Sequence, residues 1–181
     1  MSTHSHDTSP LEEIQHELDN QAKIYAKKEF NVNLEYYNSI KPLLQKRDEF
    51  LLKSREMGKL EDFWVQTFLN CDIGLEMLPS DTNNQYDASW IKSIKVEYAD
   101  NFICSVRIEL LPNEYIENNA LEKRMCLSDQ EVEYTKVLWK GNNKCPIFSF
   151  FDNESEEYEI FDYLYEIYIN AYFYYSLQNE E

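Results

Sequence analysis

The chain has 181 residues, 43% of them hydrophobic, which suits one domain with an appendage and a modest core. Its formal net charge is −17, from 34 acidic and 17 basic side chains. Such a surface repels nucleic acid and anionic lipid and attracts basic partners, and no apolar run approaches the roughly 18 residues of a membrane span.

The charge is unevenly spread. Residues 1–57 hold 8 basic and 10 acidic side chains, residues 58–144 hold 9 and 15, and residues 145–181 hold none and 9. Solubility by mutual repulsion is the plain reading of an acidic chain, yet a C-terminal segment with no cation at all also suits capture of a basic ligand. Cys71, Cys104, Cys126 and Cys145 form no CxxC pair, and His4, His6 and His16 lie at the N-terminal end, so no metal site and no cofactor are expected. Unpaired cysteines fit a reducing intracellular compartment. With three glycines and neither GxGxxG nor GxxxxGK[ST], the chain lacks a phosphate-cradling loop, and His16 has no cleft to serve, so catalysis is not expected.

Residues 1–9 are polar and predicted to be a disordered tail. Ser9 can cap a helix that places Pro10 first and Glu12 and Glu13 in its opening turn. The helix is predicted over residues 10–57. At about 100° per residue, Leu11, Ile14, Leu18, Ala22, Tyr25, Val32, Tyr36, Ile40, Leu43 and Phe50 stay within an arc of roughly 80°. A helix this long cannot cover its own stripe with a domain of about 120 residues, so a second copy of the same helix is the simplest partner. The expected homodimer interface is therefore Leu11, Ile14, Leu18, Tyr25, Val32, Tyr36, Ile40, Leu43 and Phe50. Pro42 within this pattern either kinks the helix or separates two helices meeting near residues 39–41, and Gly58 supplies the stop.

Residues 58–181 are predicted to form a second unit. Leu60–Leu69 reads as a short helix whose Phe63, Trp64 and Phe68 pack a core, and residues 79–87 read as a polar loop. Strands are predicted over Ile91–Tyr98, Phe102–Leu111, Leu121–Leu127 and Tyr134–Trp139, an antiparallel meander with helices on one face. Ser155 can cap a last helix with Glu156 and Glu157 in its first turn. There Ile160, Phe161, Leu164, Ile167, Tyr168, Ala171, Tyr172 and Tyr175 share one side, while Glu159, Asp162 and Glu166 project opposite, bordered by Tyr163, Ile169 and Phe173. Carboxylates among aromatics suit Arg and Lys, although an ordinary solvated face has the same pattern.

Four segments occur in a telling order: Gln45-Lys46-Arg47-Asp48-Glu49, Asp62-Phe63-Trp64-Val65-Gln66-Thr67-Phe68, Asn113-Glu114-Tyr115-Ile116-Glu117-Asn118 and Val137-Leu138-Trp139-Lys140-Gly141. Across roughly residues 34–151 the chain resembles the nucleosome assembly protein (NAP)/SET family of histone chaperones. The resemblance implies an α+β fold: a continuous dimerisation helix, then an "earmuff" domain with a four-stranded antiparallel sheet, helices on one face and an acidic concave underside. It implies a nuclear, partly cytoplasmic, non-catalytic protein that binds core histones, with Glu154, Glu156, Glu157, Glu159, Asp162, Glu166, Tyr134 and Thr135 at the matching positions. A non-catalytic cofactor or inhibitor subunit for a histone-modifying enzyme or a phosphatase is the other role that the resemblance allows.

Overall fold

The computed structural model describes residues 9–80, 85–128, 131–141, 145–153 and 158–177. Helix α1 (Ser9–Glu56) is continuous for 48 residues, about 70 Å at 1.5 Å per residue. It runs through Pro42, which lies on the exposed side and forfeits only one i→i−4 hydrogen bond. Its end is a Schellman motif: the Gly58 N–H donates to Arg55 O at 2.9 Å and the Lys59 N–H to Ser54 O at 2.8 Å, with Gly58 at φ +68°.

The helix has two apolar faces. Phe30, Tyr37 and Leu44, spaced by seven, are buried against the chain's own domain, with Leu34, Ile40 and Leu51 partly buried beside them. The predicted stripe lies on the other side: Leu11, Ile14, Leu18, Tyr25, Val32, Tyr36, Leu43 and Phe50 are 52–68% exposed. Only Ile40 of that set turns toward the domain. Residues 10–25 are exposed all around the helix, so the N-terminal third projects beyond the domain.

Helices α2 (Phe63–Leu69) and α3 (Asp72–Met77) follow, the second unforeseen in the sequence. They pack so closely at Gly74 that an added Cβ would sit 2.6 Å from Phe68 O. Strands β1 (Ile91–Ala99), β2 (Ile103–Leu110), β3 (Ala120–Cys126) and β4 (Glu131–Tyr134) form an antiparallel meander in chain order. A bulge between Ile91 and Ser93 puts Ile91 on the same buried side as Ile94, which explains the imperfect alternation of β1. The other side carries charge: Lys92 meets Glu109 at 3.0 Å, Arg107 meets Glu122 at 3.1 Å and Arg124 meets Glu133 at 3.2 Å.

The fourth strand was expected over Tyr134–Trp139, and this is corrected. β4 ends at Tyr134 because side chains take over the later backbone groups. Asn118 accepts the Leu138 N–H at 2.7 Å and donates to Lys136 O at 3.1 Å, while Asp152 accepts the Val137 N–H at 3.3 Å and the Trp139 indole N–H at 2.8 Å. The apolar run Val137–Trp139 is thus a pinned loop. Trp139 retains one isolated bridge, to Ile116, joining two of the four motif segments.

Helices α4 (Pro146–Phe151), α5 (Tyr158–Ile169) and α6 (Ala171–Ser176) complete the fold. The expected final helix is broken at Asn170, which resets the helical phase. Phe161, Leu164, Ile167, Tyr168 and Ala171 are buried as expected, but Tyr172 is 70% exposed. Thr67 of α2 and Asn70 at its C-cap hold α6 in place: Thr67 Oγ1 donates to Phe63 O at 2.7 Å and lies 3.2 Å from Ala171 O, and Asn70 Nδ2 donates to Tyr174 O at 2.9 Å.

Phe63, Trp64 and Phe68 are all buried, with Trp64 stacked on Tyr168 at 6.2 Å and edge-on to Phe63 at 5.2 Å. Trp64→Ala should therefore cost about 3–5 kcal/mol of stability, read as a lowered denaturant midpoint. A shift near zero would mean that Trp64 is not a core residue.

Candidate functional site

The motif at the end of α1 is a clamp. The Arg47 guanidinium lies 4.4 Å from the Tyr168 ring centroid and 5.5 Å from that of Trp64, and donates to Tyr168 O. Asp48 accepts Arg47 Nε at 2.9 Å and Nη2 at 2.8 Å, and its second oxygen accepts the Tyr168 hydroxyl at 2.6 Å. Burial and this carboxylate push the Tyr168 phenol well above its ordinary range. Arg47 reaches the C-terminal end of α5, where a cation suits the helix dipole. Farther along α1, Tyr37 donates to Glu97 at 3.1 Å, and Arg55 donates to the Lys92 carbonyl at 3.0 Å, so α1 covers the edge of β1.

This clamp orients α5. Glu159, Asp162 and Glu166 are all exposed on its outer face, at helical positions within about 60° of one another. Their surroundings differ. Glu159 accepts the Tyr163 hydroxyl at 2.7 Å, which raises the Tyr163 pKa, and Glu166 accepts the Tyr174 hydroxyl at 3.1 Å. Asp162 borders a cleft between α1 and α5; desolvation there, with Glu29 of α1 second, raises its carboxyl above the ordinary value of 3.8. Neither Glu29 on α1 nor Glu76 on α3, whose charge reaches Tyr163, was expected at this site. The only signal for Glu29 in the sequence is its place beside the stripe, and that signal cannot show which element faces it.

Of the other expected site residues, Glu154, Glu156 and Glu157 lie outside the described residues. Tyr134 ends β4 opposite Lys123, and Thr135 continues the pairing: its N–H donates to Glu122 O at 2.8 Å and its hydroxyl accepts the Glu122 N–H at 3.2 Å. α5 packs on β1 and β2, so Tyr134 and Thr135 stand two or three strand spacings away, about 10–15 Å. The structure brings Glu159, Asp162 and Glu166 together and holds Tyr134 and Thr135 apart from them. The expected interface residues Leu11, Ile14, Leu18, Tyr25, Val32, Tyr36, Leu43 and Phe50 share one exposed face, with Ile40 at its border. Among the described residues, no group of three or more His, Cys, Asp or Glu is placed to hold a metal ion, and no helix is long and apolar enough to cross a membrane.

No family model matches the chain. An uncharacterized protein of Encephalitozoon cuniculi is 34% identical over 169 residues, covering 93% of this chain and 92% of that one. The NAP1-related protein 1 of rice (Oryza sativa subsp. indica) is 25% identical over 135 residues, 72% of this chain. This chain spans about half the rice protein's length, 49% of it. Among solved structures, nucleosome assembly protein S of Plasmodium falciparum matches 93% of this chain and 99% of its own with a TM-score of 0.55 at 22% identity. Ccp1 matches 94% and 98% with a TM-score of 0.61 at 17% identity. In fold, the chain is similar to the nucleosome assembly proteins. Its long helix and four-stranded sheet with helices are the NAP fold. The first two motif segments form a clamp with Tyr168 through Arg47 and Trp64, and the last two meet at the Ile116–Trp139 bridge.

The Asp162 environment has a consequence for stability. A carboxyl whose pKa is raised on folding holds its proton more tightly in the folded state. The cost of ionising it grows as pH rises from the ordinary 3.8 through the folded value, and is complete above that. Asp162→Asn removes that cost. It should raise the unfolding midpoint at pH 7, and the gain should vanish below the ordinary Asp pKa. A midpoint that falls at pH 7 would contradict this account.

Proposed function

We propose that the chain is a histone chaperone: a homodimer that binds basic core histones on an acidic surface built around α5, acts on chromatin in the nucleus, and assists nucleosome assembly or disassembly. One observation carries the reading: on a NAP fold, the segment after Lys144 has nine acidic side chains and no basic one, and three of those acids share the outer face of α5. On the outer side of the sheet, Lys92, Arg107 and Arg124 are engaged in ion pairs with acids of neighbouring strands. Attraction to a basic protein is long-ranged and screened over about 8 Å at physiological salt. Exposed single pairs contribute roughly 0–1 kcal/mol, so affinity arises from several carboxylates together.

Two experiments test the reading. Core histone pairs are titrated across a salt series. Neutralising Glu156, Glu157, Glu159, Asp162 and Glu166 together should weaken binding about tenfold or more, while Glu159→Ala alone is nearly silent. Undiminished affinity in the fivefold variant would place the histone site elsewhere.

The homodimer reading is supported by the eight exposed stripe residues, each able to contribute on the order of 1.5–3 kcal/mol when buried against a second copy. Val32→Glu combined with Tyr36→Glu should dissociate the dimer in sedimentation at micromolar concentration. A parent protein that sediments as a monomer would refute the interface.

A further inference from the structure

Between α1 and α5 lies a cleft of about 220 Å³. Its walls include Phe30, Tyr98 and Phe161, and Glu29, Asn33 and Asp162 also line it. The rings are held in place by edge contacts, Phe30 to Tyr98 at 5.1 Å and Tyr98 to Phe161 at 5.1 Å. The Asn33 amide approaches the Tyr98 hydroxyl at 3.5 Å. The volume falls below the roughly 300–1,000 Å³ of sites for whole small molecules, so it suits a single side chain.

The charge at this cleft is unbalanced. Glu29 and Asp162 come from different helices and repel one another, and among the described residues neither forms an ion pair or a hydrogen bond. Lys27, two residues before Glu29, places its ammonium 5.5 Å from the Phe102 ring centroid instead. Elsewhere the acids of this surface have partners, Glu159 with Tyr163 and Glu166 with Tyr174. Among the described residues, the fold thus leaves two carboxylates without a cation at a cleft with aromatic walls, where desolvation raises the Asp162 carboxyl.

We infer that this cleft is a socket for one arginine side chain of a bound basic protein, with Glu29 and Asp162 at its mouth engaging the guanidinium and the buried rings forming its apolar floor. Arginine fits better than lysine. Its planar group offers five donors in a fixed fork to two carboxylates and stacks on aromatic faces, whereas an ammonium is a compact, strongly hydrated charge. The inference rests on the histone-binding reading for its ligand, and adds a specific anchor to a surface that otherwise attracts by charge alone.

The test compares two double variants with the same change of charge, Glu29→Gln/Asp162→Asn in the cleft and Glu159→Gln/Glu166→Gln outside it. Each full-length protein is titrated with a core histone pair, a hexa-arginine peptide and a hexa-lysine peptide. Loss of a charge-assisted contact predicts that the cleft variant weakens about tenfold or more toward histones and hexa-arginine. The outer variant should weaken distinctly less, and the parent should prefer hexa-arginine to hexa-lysine. The unfolding midpoint of the cleft variant should hold or rise, separating lost binding from lost structure. Equal losses in the two variants, or no loss in the cleft variant, would overturn the socket while leaving histone binding in place. A parent that ignores histones yet binds hexa-arginine through the cleft would overturn the histone reading and keep the socket. Binding of neither histones nor hexa-arginine would end both.

Discussion

The rest of the architecture depends on how α1 is held against the domain at Arg47. The guanidinium packs on Tyr168 and Trp64, donates to the end of α5 and to Asp48, and Asp48 in turn accepts the Tyr168 hydroxyl. All three Arg47 nitrogens, both Asp48 oxygens and the Tyr168 hydroxyl take part in these hydrogen bonds, the condition under which a partly buried charge is tolerated. A helix of 48 residues with apolar side chains on two faces could dock in more than one rotation. The clamp, together with Tyr37 on Glu97, admits one. That rotation turns Phe30, Tyr37 and Leu44 inward and leaves Leu11 through Phe50 facing out. The same contact positions α5, so the exposed apolar stripe and the acidic helix are set relative to one another by a single cluster.

Charge is distributed to match this geometry. On the outer side of the sheet, Lys92, Arg107 and Arg124 meet Glu109, Glu122 and Glu133 across neighbouring strands, an arrangement worth little in stability for each exposed pair. The Lys92 contact holds the Glu109 carboxyl below the usual carboxylate range. The larger effect of these pairs is to engage Lys92, Arg107 and Arg124 locally. Among the described residues, the acids of α5 meet tyrosine hydroxyls or, at Asp162, another carboxylate. Net charge alone would have described both surfaces in the same way.

The motif segments divide into two structural roles. Gln45–Glu49 and Asp62–Phe68 join α1, α2 and α5, and Thr67 extends the junction to α6. Asn113–Asn118 and Val137–Gly141 form a second junction in which Asn113, Asn118 and Asp152 bind backbone groups that no strand partner takes. Both are devices for docking elements that local propensity cannot place.

Much was legible in the sequence where the signal is local. The 3.6-residue stripe and Gly58 marked α1 and its end, alternation marked β1, β2 and β3 to within a residue or two, and the apolar spacing of α5 identified its buried face. These elements follow from side-chain periodicity and backbone conformation, properties that each short stretch carries by itself. The carboxylates of α5 were legible for the same reason, as the face left over. Tertiary structure decided the rest. It ended β4 at Tyr134 because Asn118 and Asp152 displace the ladder, and broke the last helix at Asn170 where α6 docks on Thr67 and Asn70. It set Tyr134 and Thr135 apart from α5, and drew Glu29 to Asp162 across 133 residues of sequence to form one cleft. Such outcomes depend on which distant group competes for a donor, an acceptor or a charge, and that competition exists only once the chain has packed.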